Sequence, residues 1–182
     1  IHMFDYDKIA DHHMIVRESK KGEKLVTLDE KEIVLPGGDI VIEDGSGKLI
    51  DLCGIMGGLN SAISSKTKRV LLFVQTYNKS KIRKTTMTTG QRTIAATFFE
   101  KGLDPERVEP TLVYGVELLE KYAQGKVGSK LYDIYPKKPG KKSLVMSYGL
   151  FSKKIGVEIP RKKINEILTN LGFGVSDASK QG

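Results

Sequence analysis

The residues in this chain that could do chemistry are sparse, and the first set is a glycine turn. Gly54, Gly57 and Gly58 punctuate "GIMGG", directly after the apolar run "LIDLC". A tight turn after a strand leaves backbone N–H groups pointing outward, and such groups can cradle a carboxylate or ester oxygen. Glycine also lets a ligand approach the backbone closely. A plain turn is the competing reading. The second set is "GQRT", where Gly90, Gln91, Arg92 and Thr93 could line a pocket or only lead into a helix. Cys53 sits in the same apolar run as the turn and reads as a small buried core residue, because the sequence shows no nearby base to activate it. The histidines, His2, His12 and His13, pair with no cysteine or carboxylate at a zinc spacing, so no metal site is expected. GxSxG, P-loop and HExxH patterns are not found. A third set is basic. In "IPRKKINEILTNLG", Arg161, Lys162 and Lys163 could rest on phosphates at the start of a helix. Cations there oppose the helix dipole. The simpler reading is a charged first turn on a helix whose other face is core.

These groups need elements to position them. The chain has 182 residues, 39% of them hydrophobic, which suits one domain or a larger domain with a small appended piece. Residues 14–56 read as β structure. The short apolar runs "IVR", "KLVTL", "EIVL", "DIVIED" and "KLIDLCGI" are separated by "KKGE", "DEKE", "PGGD" and "DGSG". "DGSG" between two apolar runs is a hairpin signal. "RVLLFVQTY" reads as a central strand. The period then changes. Helices are expected over 79–89, stopped by Gly90, and over 93–101, stopped by Gly102. A third is capped by Asp104 with Pro105 in its first turn and runs to Ala123. Val108, Leu112, Val116, Leu119 and Ala123 share one face of it at helical spacing. "GKVGSKLYDIY" reads as a strand entering a Pro/Lys/Gly linker, with a domain boundary near residue 140. Beyond it "SLVMSY" reads as a strand, "LFSKKIG" as a short helix, and "IPRKKINEILTNLG" as a helix with Ile164, Ile167, Leu168 and Leu171 inward. "FGV" would begin another strand.

Charge is uneven along this frame. Residues 1–120 carry 17 Lys/Arg against 18 Asp/Glu, while 121–182 carry 13 against 4. A basic end on a near-neutral body suits a polyanionic partner, or is a solvated lysine-rich surface. The longest purely apolar run, "VLLFV", is far too short to span a bilayer, and nothing near the start looks like a signal peptide. A single cysteine is compatible with a reducing, cytoplasmic setting.

Five separated motifs come in a characteristic order: "HMFDYDKI", "LVTLD" with "DIVIEDGSG", "GIMGG", "VLLFVQTYNKSKIRKT" and "FEKGLDPE". Together they resemble the β subunit of bacterial phenylalanyl-tRNA synthetase, in its tRNA-editing (B3/B4) domain. The last forty residues resemble the start of that subunit's next, small helical DNA-binding-type module (B5). The resemblance implies an α+β fold, with a β-rich editing domain over residues 1–140 whose helices pack on the sheets, and an incomplete second domain over 141–182. It implies a fragment of a longer protein that begins inside the first domain and ends inside the second.

The resemblance also implies a function. The parent ligase charges tRNA with phenylalanine, and tyrosine adds only one hydroxyl. A site built for an apolar side chain rejects such an analogue by only about a hundredfold. An editing site that hydrolyses mischarged Tyr-tRNA(Phe) supplies the rest. The implied partners are tRNA(Phe) and the catalytic α subunit of an α2β2 heterotetramer, and no membrane. ATP and magnesium belong to the parent enzyme, with no cofactor in this piece and no aminoacylation by it alone. Carried over residue by residue, the catalytic positions are His2 and Thr93. The pocket positions carried over are Gly54, Gly57 and Ala95, with Phe73 at a departing position, and the local reading of the glycine-bearing stretches adds Gly58, Gln91 and Arg92. Three positions depart from the family's pattern. Phe73 stands where the family has a glutamate that accepts from the tyrosine hydroxyl, Ile94 where it tends to be acidic, and Phe98 where it tends to have arginine. The departures imply an editing fold with weak or absent tyrosine editing. Two alternatives remain open at this point: a non-catalytic module of the ligase that contacts tRNA or the other subunit, and an unrelated nucleic-acid-binding module.

Overall fold

The computed structural model describes residues 1–136, 138, 140 and 142–176. It is α+β, and the chain divides into two compact units, residues 1–130 and 131–182. The expected boundary near residue 140 lies within the second unit.

The first unit is built on short antiparallel strands. They are β1 (His2–Asp5), β2 (Met14–Glu18), β3 (Lys24–Val26), β4 (Glu32–Val34), β5 (Ile40–Asp44), β6 (Leu49–Leu52), β7 (Met56–Gly57) and β8 (Val70–Phe73). The main sheet runs β2-β5-β6-β7, and two-stranded ribbons pair β1 with β8 and β3 with β4. The "DGSG" hairpin joins β5 to β6. Asp44 accepts from the Ser46 N–H at 2.9 Å, and Gly47 takes φ +80°, which a side chain would oppose.

Side chains alternate across a strand, so the main sheet can feed two cores. Val41, Leu49 and Leu52 pack with Leu25, Ile33, Leu35, Ile55, Ile82 and Ala96 on one side. Ile42, Ile50 and Cys53 pack with Phe4 and Ile9 on the other. A bulge between Ile42 and Glu43, opposite Leu49 to Asp51, shifts the alternation. All four residues of β6 are buried, and one of them is Asp51.

Helices α1 (Lys79–Thr89), α2 (Ile94–Phe99) and α3 (Val108–Ala123) follow. The Asn78 side chain caps α1 by accepting from the Ser80 N–H at 3.0 Å, and Gly90 ends it in the left-handed region at φ +70°. Asp104 accepts from the Glu106 N–H at 3.0 Å, ahead of a 3-10 turn at Pro105–Arg107 that leads into α3. Val108, Leu112, Val116 and Leu119 are half-buried along one face of α3, as the spacing predicts, whereas Ala123 is exposed. A buried tie fixes α1 to the β layer. Asp39 accepts from the Thr85 and Ser19 hydroxyls, both at 2.7 Å.

Several expected strands are corrected. "RVLLFVQTY" forms β8 over only four residues, in an outlying ribbon rather than at the centre of the main sheet. Residues 126–135 and 143–147 are not strands. Leu144 and Val145 are about four-fifths exposed. The second unit contains α4 (Tyr148–Ile155) and α5 (Arg161–Asn170). Of the four positions expected inward on and after α5, Ile164 is buried and Leu168 half-buried, while Ile167 and Leu171 are exposed. Residues 173–175 are not a strand, and any continuation past Ser176 lies outside the described residues. Among the described residues no helix is long and apolar enough to cross a membrane.

Candidate functional site

The glycine turn is where His2 and Thr93 meet the same short segment. The turn is held from several sides. The Ile55 N–H donates to the Leu52 carbonyl at 3.0 Å and the Gly58 N–H to the Ile50 carbonyl at 2.8 Å. The Gly57 carbonyl accepts from the Leu28 N–H at 3.0 Å. Two of the N–H groups expected to cradle an oxygen are therefore committed internally. The glycines are needed for space. A Cβ on Gly54, which also has φ +70°, would lie 2.8 Å from the Tyr77 ring. A Cβ on Gly58 would lie 2.7 Å from the Ile50 carbonyl oxygen, and one on Gly57 would lie 2.7 Å from Nε2 of His2.

His2 thus packs its imidazole on the bare backbone of Gly57. Its ring also lies against Phe4, with centroids 4.4 Å apart. Burial lowers its pKa below the usual 6.5, and the Ile1 α-ammonium adds to the effect. The imidazole is mainly neutral at pH 7, the form that can accept a proton. Phe73 is the register partner of His2 across β1 and β8, so the two side chains share a face. Phe73 is half-buried and meets Phe4 edge-on at 6.1 Å.

Thr93 reaches the turn from the other side. Its hydroxyl donates to the Ile55 carbonyl at 2.9 Å and accepts from the Ala96 N–H at 3.1 Å, capping α2. Its proton is committed, so in this arrangement Thr93 is a strut between turn and helix. The remaining expected positions stand further out. Gln91 is half-buried, and Arg92 is exposed with Nη2 3.5 Å from the Met87 sulfur. Ala95 is exposed, as are Ile94 (80%) and Phe98 (59%).

A polar cluster that the motifs did not single out lies beside the turn. Asp51 is 4% exposed, and burial pushes its carboxyl up to about 7. It is hydrogen-bonded to the Cys53 thiol, itself pushed up by burial. Gln75 Nε2 bonds the Tyr77 hydroxyl and approaches Cys53 Sγ at 3.9 Å. Burial also raises Tyr77, so thiol and phenol are both neutral near pH 7. One signal for Asp51 was present in sequence: an acid inside the apolar run "LIDLC".

A separate cleft of about 350 Å³ runs between Glu23–Val26 and Gly47–Leu49, closed by Asn60, and contains none of the expected residues. Its charged lining residues Lys24 and Lys48 are solvent-exposed. In the second unit, Arg161 stacks its guanidinium 5.0 Å from the Tyr148 ring centroid, and Lys163 pairs with Glu166 at 3.1 Å. Lys162 is exposed. Among the described residues no group of three His, Cys, Asp or Glu side chains could hold a metal ion.

Comparison with known proteins gives this geometry a context. The B3/4 domain family matches residues 1–124. The chain is 35% identical over 181 residues to the phenylalanine–tRNA ligase β subunit of Carboxydothermus hydrogenoformans, covering all of this chain and 23% of that protein. It is 34% identical over 177 residues to that of Thermotoga maritima (97% of this chain, 22% of the relative). It is 32% identical over 178 residues to that of Bacillus subtilis (98% and 22%). The chain therefore spans somewhat over a fifth of the length of these relatives.

Proposed function

Because the chain belongs to the B3/4 domain family, we propose that it serves as part of a phenylalanine–tRNA ligase β subunit, with an aminoacyl-ester site at the glycine turn. In this reading the partners are tRNA(Phe) and a catalytic α subunit, and the ATP and magnesium chemistry lies outside this chain. Water adds to the ester carbonyl carbon and the bond to the ribose oxygen breaks. Neutral His2 takes the proton from water and returns it to the departing ribose oxygen. Thr93 holds the turn in place for that step.

We further propose that the fold of an editing site is kept while selection for tyrosine is weak or absent. The observation that carries this is Phe73, directly opposite His2 in the β1–β8 ladder. A phenyl ring accepts no hydrogen bond, and a buried phenol without a partner costs about 1–3 kcal/mol. Exposed Ile94 and Phe98 add apolar surface where the family's pattern is polar. A second reading, a contact module without hydrolysis, is favoured by that same surface with Met87 and Arg92 beside it. The test is deacylation of Tyr-tRNA(Phe) by the complete two-subunit enzyme. Slow hydrolysis that His2→Ala slows further supports weak editing. Rapid hydrolysis abolished by His2→Ala or Thr93→Ala refutes it.

A further inference from the structure

Asp51 is a buried carboxyl that the steps above do not use, and its position relates it to His2. In the β6–β7 ladder Asp51 is the direct partner of Gly57. Directly opposed residues of an antiparallel pair place their Cβ positions on one face, about 4.5–5.5 Å apart. Gly57 has no side chain to fill its half of that pair. The His2 imidazole fills it instead, with Nε2 2.7 Å from the point where a Cβ would be. Asp51 and His2 are therefore cross-strand neighbours through the gap left by a glycine.

We propose that Asp51 and His2 act as one acid–base unit beneath the glycine turn, with Asp51 as the positioning residue that holds the imidazolium form of His2. The other residues of β6, Leu49, Ile50 and Leu52, are buried and apolar, so an ionised carboxylate there needs compensation. The ionisable groups facing it are Cys53 and Tyr77, both neutral near pH 7, and the Ile1 α-ammonium. Burial raises the carboxyl to about 7 and lowers the imidazole from 6.5, so in the proposed unit the two groups titrate as a pair that shares one proton. During ester hydrolysis the proton from water rests on His2, and Asp51 stabilises the resulting imidazolium without taking part in any bond change. That catalytic consequence rests on the ester-site reading above. The proton sharing itself does not.

Two measurements separate them. The imidazole Cε1–H resonances of this chain, assigned with His12→Gln and His13→Gln variants, are followed against pH by NMR. For the wild type the His2 curve should show two inflections, one from its own ring and one from Asp51. Asp51→Asn should leave a single inflection and lower the His2 midpoint by about one pH unit. A single inflection in the wild type overturns the pairing, and that result stands even if the variant does not fold. A His2 midpoint unmoved by Asp51→Asn overturns it as well. In the complete two-subunit enzyme, Asp51→Asn should lower kcat for deacylation about tenfold at pH 7 with KM unchanged. An unchanged kcat overturns the positioning role. If His2 titrates as described while the wild-type enzyme hydrolyses neither Tyr-tRNA(Phe) nor Phe-tRNA(Phe), the pair stands and the ester-site reading fails.

Discussion

Gly57→Ala perturbs the site at its tightest point. Gly57 lies in β7, in ordinary extended backbone, so alanine brings no φ penalty. The whole effect comes from one methyl group. It would stand 2.7 Å from His2 Nε2 and 3.3 Å from Leu28 Cδ1, where ordinary contact begins near 3.4 Å. The imidazole must move by most of an ångström, away from its packing on Phe4, or β7 must shift. Overpacking of this kind costs about 1–3 kcal/mol. For a chain of this size that lowers the melting temperature by roughly 2–4 °C per kcal/mol. The assay is a double-mutant cycle by thermal and urea unfolding of this chain. His2→Ala removes the clashing ring, so Gly57→Ala should cost at least about 1 kcal/mol less in that background. Gly58→Ala is the contrast. Its Cβ would meet the Ile50 carbonyl at 2.7 Å, which no side-chain change relieves, so its cost should be the same in both backgrounds. The packing argument is refuted if Gly57→Ala is neutral, or if its cost is additive with His2→Ala.

Two further outcomes follow from the same contacts. Thr93→Val keeps the shape but loses both the cap on α2 and the bond to the Ile55 carbonyl, and should destabilise by about 1–3 kcal/mol in urea unfolding, with Thr93→Ser close to wild type. Arg17 binds Glu23 at 2.7 Å and Glu43 at 2.6 Å, and its guanidinium holds the Glu23 carboxyl at about 2. The depressed carboxyl contributes stability above its unfolded value of about 4.3. That contribution is lost as pH falls toward about 2, so unfolding free energy should drop through this window and Arg17→Met should flatten the drop.

The features legible in sequence were those fixed by local chemistry. Asp44 and Gly47 announced a hairpin, Asp104 a helix start, and Gly90 a helix end, because each satisfies a backbone requirement within a few residues. Strand identity was less legible, since an apolar run becomes a strand only when another strand lies beside it. "VLLF" found β1 and forms a ribbon, while "SLVM" has no partner strand among the described residues. The site was legible in its glycines, but not in its geometry. Nothing in "GIMGG" shows that a histidine more than fifty residues earlier fills the space over Gly57, or that Asp51 is its neighbour across β6 and β7. Thr93 was found as a position, and its role as a strut emerged from its two hydrogen bonds.

In the proposed reading, Phe73 leaves the site without a means of preferring tyrosine. The direct measurement is the ratio of deacylation rates for Tyr-tRNA(Phe) and Phe-tRNA(Phe) with the complete two-subunit enzyme under identical conditions. The account predicts a ratio within about tenfold of unity, since one missing hydrogen bond of about 1–3 kcal/mol removes the main source of discrimination. A preference for the tyrosyl ester of about a hundredfold or more, lost on His2→Ala, would contradict it.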